Sequence, residues 1–242
     1  MRIKAILFDL YGTLIDIETD ESMEKIYRGI SGFLIYQGIN VRWQNLRDLY
    51  YGIMQEQLLS SSEQYPEIDV EAIWDTLLAR QDLASKNKRR QLKIYLAQLY
   101  RGLSLKRLRR FPHVKRVLNT LRPSYRMGIV SDAQPCFARA EIRTVKLGVE
   151  FDPVIISADY GFRKPDPRMI RLALDKLRLT SGEVVFVGND MYRDIYCAHQ
   201  LGIKTVFFAS TSGAQSYEQI EPNYRIDRFK DLLPALEAIE QC

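Results

Sequence analysis

The stretch Ile3-Lys-Ala-Ile-Leu-Phe-Asp9-Leu-Tyr11-Gly12-Thr13-Leu-Ile15 sets a short apolar run directly before a carboxylate, with a Gly-Thr pair just beyond it. A run this short suits a strand buried on both faces. Such strands belong to parallel α/β sheets, whose ligands collect outside the strands' carboxyl ends, and Asp9 stands at that end. Gly12 lets the backbone turn close to a ligand. Thr13 offers a hydroxyl where a helix or loop begins.

The chain then changes character. From about residue 18 to 105 apolar positions recur at helical spacing and no strand pattern stands out. Ile26, Ile30, Phe33 and Leu34 predict a helix ending at Gln37-Gly38, and Trp43 to Ile53 a second. Ile73, Leu77 and Leu78 predict a third, Ile94 to Leu103 a fourth ending near Gly102, and Pro66 interrupts the region. Beyond Arg109 short strands and helices alternate. Residues 127–131, 154–157, 184–188 and 204–208 read as buried strands; 137–147, 166–177, 191–201 and 232–239 read as helices. That alternation implies right-handed crossovers and a parallel sheet. The expected fold class is α/β, a doubly wound parallel Rossmann-like sheet with an inserted all-helical cap. The core is expected over 1–16 and 108–242, the cap over 17–107.

The net charge of +5 hides an asymmetry: Leu83 to Ser131 holds 14 Lys or Arg and no Asp or Glu, so the rest carries 5 − 14 = −9. The plain reading is the solvated face of helices; the sharper ones are an anionic substrate, nucleic acid or acidic lipid. Aromatic interleaving is thin (Tyr95, Tyr100, Phe111), which leaves nucleic acid a minor expectation. No run of eighteen apolar residues predicts a membrane span, and the opening strand leaves no signal peptide to expect. Cys136, Cys197 and Cys242 lack ligand spacing, so reduced thiols and a cytoplasmic protein are expected. His113 and His199 have neither a triad partner nor metal spacing.

The strand ends, taken in order, offer Asp9 with Thr13, Ser131 with Asp132, Lys164, and Asn189-Asp190 with Asp194. One nucleophile, two hydroxyls, a cation and several carboxylates suit phosphoryl transfer, where a Lys and a divalent ion offset charge on the moving group. Oxygen ligands of this kind suit Mg²⁺.

Four segments carry a family resemblance. Phe8-Asp9-Leu10-Tyr11-Gly12-Thr13, Ile129-Val130-Ser131-Asp132, Phe162-Arg163-Lys164-Pro165-Asp166-Pro167 and Val187-Gly188-Asn189-Asp190-Met-Tyr-Arg-Asp194-Ile195 resemble, in order, motifs I to IV of the haloacid dehalogenase superfamily. The resemblance spans nearly the whole chain and implies a hydrolase with a helical cap. It implies that Asp9 is a nucleophile forming a covalent aspartyl intermediate. Thr13 and Ser131, with Asp132 beside them, would hold the substrate, and Lys164 would neutralise developing charge. Mg²⁺ would lie between Asp9, the Tyr11 carbonyl and an acidic residue of the fourth motif, with Asp190 favoured over Asn189 and Asp194 orienting Lys164.

Two departures separate the possible activities. Phosphatases of this superfamily carry a second Asp where this chain has Tyr11. A phenol is a poor base at neutral pH, and general acid–base help is worth about 10²–10⁴-fold. The 2-haloacid dehalogenases carry Tyr there, because halide leaves unprotonated, and use a cap Arg for the halide; Arg42 and Arg47 are the candidates. Asp190 and Asp194 favour the metal enzyme. The first expectation is therefore an Mg²⁺-dependent phosphohydrolase acting on a small phosphate ester. A metal-free 2-haloacid dehalogenase, and a binding protein with a basic cap face, are the alternatives.

Overall fold

The computed structural model describes residues 2–80 and 85–241. Leu83 and Ala84, which open the acid-free stretch, and Cys242 lie outside those residues. In chain order β1 (Ala5–Phe8) is followed by β2 (Ile15–Thr19), then by α1 (Glu24–Tyr36), α2 (Trp43–Ser60), α3 (Val70–Arg80) and α4 (Lys86–Ser104). β3 (Leu105–Arg110) returns the chain to α5 (Val114–Leu121), β4 (Arg126–Ser131), α6 (Pro135–Val145), β5 (Val154–Ile156) and α7 (Arg168–Leu177). β6 (Val184–Gly188), a π-helical turn over Met191–Tyr196, α8 (Cys197–His199), β7 (Lys204–Phe208), β8 (Tyr224–Ile226) and α9 (Leu232–Gln241) complete it.

Six strands form one parallel sheet in the order β5-β4-β1-β6-β7-β8. β1 is central because all of its residues are apolar, and all are buried. The two-residue side-chain period splits them between two layers. Ile6 and Phe8 pack with Val117, Leu118 and Leu236 on one face; Ala5 and Leu7 pack with Met169, Ile170 and Ala173 on the other. Helices therefore cover both faces, as the alternating sequence implies. In register Phe8 pairs with Ile129 and with Val187, which gathers the carboxyl ends of β1, β4 and β6 at one edge.

The four inserted helices make a cap with a hydrophobic core of its own. Tyr50 stacks on Tyr100 at 4.9 Å between centroids, and Trp74 lies 4.8 Å from Tyr50. Phe137 of α6 joins that core from the sheet side. α4 begins well before its expected apolar stripe and continues through Gly102 to Ser104.

The stalk of the cap differs from expectation. β2 and β3 pair antiparallel, from Ile15 opposite Arg110 to Thr19 opposite Leu105, so the expected edges at 16/17 and 107/108 fall inside a ribbon. The Leu-Lys-Arg-Leu-Arg-Arg strand reads as a charged surface in sequence because its partners lie about ninety residues away. Asp16 takes Arg107 at 2.8 Å and Arg109 at 2.9 Å, Glu18 takes Arg107 at 2.5 Å, and Asp20 takes Lys106 at 2.8 Å. Farther back, Arg89 meets Asp75 and Arg101 meets Glu141. Much of the basic run is matched by acids outside it. Among the described residues no helix is long and apolar enough to cross a membrane.

Candidate active site

Asp9 follows β1 directly and is 6% exposed. Lys164, in the loop before α7, is 3% exposed and reaches back so that its Nζ donates to Asp9 Oδ1 at 2.7 Å, to Asp194 Oδ1 at 2.6 Å and to the Val130 carbonyl at 3.1 Å. Burial alone would lower the Lys164 pKa, but the charges of Asp194 and Asp9 outweigh it and hold the ammonium well above the usual lysine range. Burial raises Asp194 above an ordinary carboxylate, against the pull of Lys164. The cluster is a fixed cation clamped between two carboxylates, both of them lining the crevice.

Asp194 is placed by backbone. Its Oδ2 accepts the main-chain N–H groups of Asn189 and Asp190, each at 3.0 Å. Gly188 is required for this: a Cβ there would meet the Asp194 carboxylate at 2.5 Å. Gly12, at φ +89°, likewise has no room for a Cβ against Asn189. The Thr13 hydroxyl lies 3.2 Å from Asp9 Oδ2 and 3.0 Å from Asn189 Oδ1, and Asn189 Nδ2 donates to Ser212. Ser131 is fully buried at the end of β4, and its hydroxyl has no partner among the described residues. Lys164 Nζ donates to the carbonyl of the preceding residue, Val130, and a buried hydroxyl left unpaired at that strand end leaves room for a ligand oxygen.

Two expected residues are engaged elsewhere. Asp190 accepts from the Tyr192 and Arg193 N–H groups at 3.0 and 2.8 Å, from the Arg193 side chain at 2.9 Å and from the Ala214 N–H at 3.1 Å. Burial would raise it, but these bonds to Arg193 and Ala214 hold its pKa below the usual carboxylate range. It caps the π-helical turn. Tyr11 donates its hydroxyl to Glu141 of α6, and burial together with the Glu141 charge pushes its pKa far up. It is a neutral phenol with its proton already committed. Glu141 in turn accepts from Arg101 of α4 at 2.7 Å, and the Arg101 guanidinium lies 5.5 Å from the Tyr11 ring centroid.

A family model described as haloacid dehalogenase-like hydrolase matches residues 6–208. The chain belongs to that family. It is a hydrolase of the haloacid dehalogenase-like type, and its sheet and cap are those of the fold. It is 31% identical over 238 residues to the glyceraldehyde 3-phosphate phosphatase of Pyrococcus abyssi, covering 97% of this chain and 94% of that one. It is 25% identical over 235 residues to (S)-2-haloacid dehalogenase 4A of Burkholderia cepacia, covering 97% and 95%. A solved 2-haloacid dehalogenase from Pseudomonas syringae superposes with a TM-score of 0.69 at 20% identity, covering 98% and 99%.

In this haloacid dehalogenase-like chain Asp9, Lys164, Asn189 and Asp194 line a cavity of about 480 Å³. A second cavity of about 250 Å³ lies beneath the cap, walled by Tyr50, Met54, Glu67 and Phe137 among others. Tyr11, Glu21, Arg101, Asp132 and Arg193 line both. Arg42 and Arg47 are exposed, and neither lines these cavities. The cap's cation here is Arg101, hidden in sequence within an Arg-rich stretch. Its signal is position alone, on the same helix face as buried Ala97 and Ser104. A roomier cavity of about 930 Å³ elsewhere, lined by Arg109, Arg110, Lys115 and Arg116, contains no carboxylate. His113 lies there, exposed, and His199 is exposed on α8. Burial raises the Cys136 thiol to about 12, which makes it inert.

Proposed function

We propose that this hydrolase cleaves a small phosphate monoester through an aspartyl-phosphate on Asp9. The observation that carries the reading is the Lys164 ammonium, 2.7 Å from Asp9 and bonded to the carbonyl of Val130, the residue before Ser131 with its unpartnered buried hydroxyl. A phosphoryl group seated there meets a nucleophile and a cation, with a free hydroxyl at the end of β4. Asp9 attacks phosphorus, the ester P–O bond breaks, and water then cleaves the acyl phosphate to release inorganic phosphate and free Asp9. Lys164 stays charged throughout and offsets the charge that develops on the phosphoryl oxygens. Thr13 and Ser131 orient those oxygens.

The donor set fits Mg²⁺ as hard oxygen ligands: the Asp9 carboxylate, the Tyr11 carbonyl and the Asn189 carboxamide. Asp194 and Asp190 support that set from behind, since their oxygens are engaged with Lys164, backbone N–H groups and Arg193. When bound, the ion supplies charge neutralisation at the phosphoryl group.

A second reading has a specific observation behind it. Tyr11 is neutral and Asn189 uncharged, and both suit attack of Asp9 on the carbon of a 2-haloacid, where halide leaves without a proton. One experiment separates the two. Hydrolysis of 4-nitrophenyl phosphate is measured with Mg²⁺, with EDTA and in Asp9→Asn, beside chloride release from 2-chloropropionate. Metal-dependent phosphate release abolished in Asp9→Asn is the expected result. Chloride release without phosphate release would replace it with the dehalogenase.

A further inference from the structure

The phosphohydrolase reading leaves a proton unaccounted for. An aliphatic alkoxide leaves slowly unless it is protonated, and Tyr11 has given its hydroxyl to Glu141. The donor must stand where the phosphoryl group, held beside Asp9, meets the rest of the substrate beneath the cap. That boundary is the wall shared by the two cavities: Tyr11, Glu21, Arg101, Asp132 and Arg193. Arg101 and Arg193 are fixed cations, paired with Glu141 and Asp190. Glu21 accepts the Tyr100 hydroxyl at 3.1 Å. Asp132 differs. Its Oδ1 accepts the Lys164 main-chain N–H at 3.0 Å, while its Oδ2 is buried without a partner among the described residues. An orphaned buried carboxylate oxygen has room for a proton and for a ligand oxygen to receive it.

We propose that Asp132 is the proton donor to the leaving alcohol of an aliphatic phosphate monoester, standing in for the carboxylate that Tyr11 replaces. In the first step Asp9 bonds to phosphorus, the P–O ester bond breaks, and the Asp132 proton moves to the departing oxygen, giving a neutral alcohol. In the second, water attacks phosphorus and returns a proton to Asp132 as the Asp9–phosphorus bond breaks. Lys164 fixes both carboxyl groups, Asp132 through its backbone and Asp9 through its ammonium. The surroundings favour the protonated form: burial raises the Asp132 pKa from its ordinary value, and the nearby carboxylate of Asp194 adds to this against the charges of Lys164 and Arg193.

The assignment rests on the phosphohydrolase reading, and leaving-group dependence tests the two separately. Wild type, Asp132→Asn, Asp132→Glu and Glu21→Gln are assayed with 4-nitrophenyl phosphate, whose phenolate departs unprotonated, and with glycerol 2-phosphate, whose alkoxide does not. Asp132→Asn is expected to lose about 10²–10⁴-fold on the aliphatic ester and less than about tenfold on the aryl ester, with partial recovery in Asp132→Glu. Equal losses on both esters would make Asp132 a structural residue and overturn the proposal. So would a selective loss in Glu21→Gln instead, or a wild-type enzyme active on the aryl ester alone. Activity on neither ester removes the phosphohydrolase reading and this assignment with it.

Discussion

Lys164 is bonded at once to Asp9, Asp194 and a β4 carbonyl, and each partner is buried. Replacing it by Met removes the cation and leaves two buried carboxylates without their shared partner. Breaking a buried pair in this way costs about 3–5 kcal/mol. Lys164→Met should therefore lower the urea midpoint markedly as well as abolish turnover, whereas Asp9→Asn should abolish turnover with a much smaller loss, since Lys164 keeps Asp194. Denaturation curves of the two variants check this; equal midpoints would show that the cluster is not what holds the edge of the sheet. Gly188 gives a steric counterpart. Its absent Cβ leaves room for the Asp194 carboxylate. Gly188→Ala should push Asp194 off the Asn189 and Asp190 N–H groups and cost turnover at least tenfold. An alanine variant with wild-type rates would mean that Asp194 need not sit there.

At the scale of elements, the residues that touch the sheet were legible and those that join the cap to it were not. The runs before Asp9, Asn189 and after Arg126 are apolar without interruption, so buried parallel strands and their carboxyl-terminal residues follow from pattern alone. β3 has no such pattern, because its residues are charged and its stability comes from Asp16, Glu18 and Asp20 on β2. The three-residue β8 is too short to show any period. Asp190 reads by charge as the better metal ligand, and only its place at the start of the π-helical turn reveals how its oxygens are engaged. Tyr11, Glu141 and Arg101 come from a loop, the core and the cap, and no local signal connects them. That triad ties α4 to α6. Arg101→Ala should leave Glu141 buried without its cation, cost about 1–3 kcal/mol, and raise KM more than it lowers kcat, because the cap would close less firmly. Steady-state kinetics beside a thermal melt decide it: a change in kcat alone would place Arg101 in the chemistry instead.

For the whole molecule, the ribbon beneath the cap makes stability depend on pH in a definable direction. Burial would raise the Asp16 pKa, but hydrogen bonds from Arg107 and Arg109 outweigh it and hold the carboxyl below its ordinary range. The unfolded chain therefore takes up a proton at Asp16 before the folded one does. The stabilisation is complete above the unfolded carboxylate pKa of about 3.9 and is lost as pH falls through the lower folded value. Both arginines are partly exposed, so solvent and salt screen the pairing and its contribution is about 1 kcal/mol. For a chain of this length that corresponds to about 2–4 °C in Tm. Asp16→Asn should melt lower than wild type by that amount at pH 7, and the gap should close as the pH falls through the lowered Asp16 value and as salt is raised. A gap that persists in acid would mean that Asn at this position disturbs the ribbon by shape, and that the charges of β2 and β3 are not what fastens the cap to the sheet.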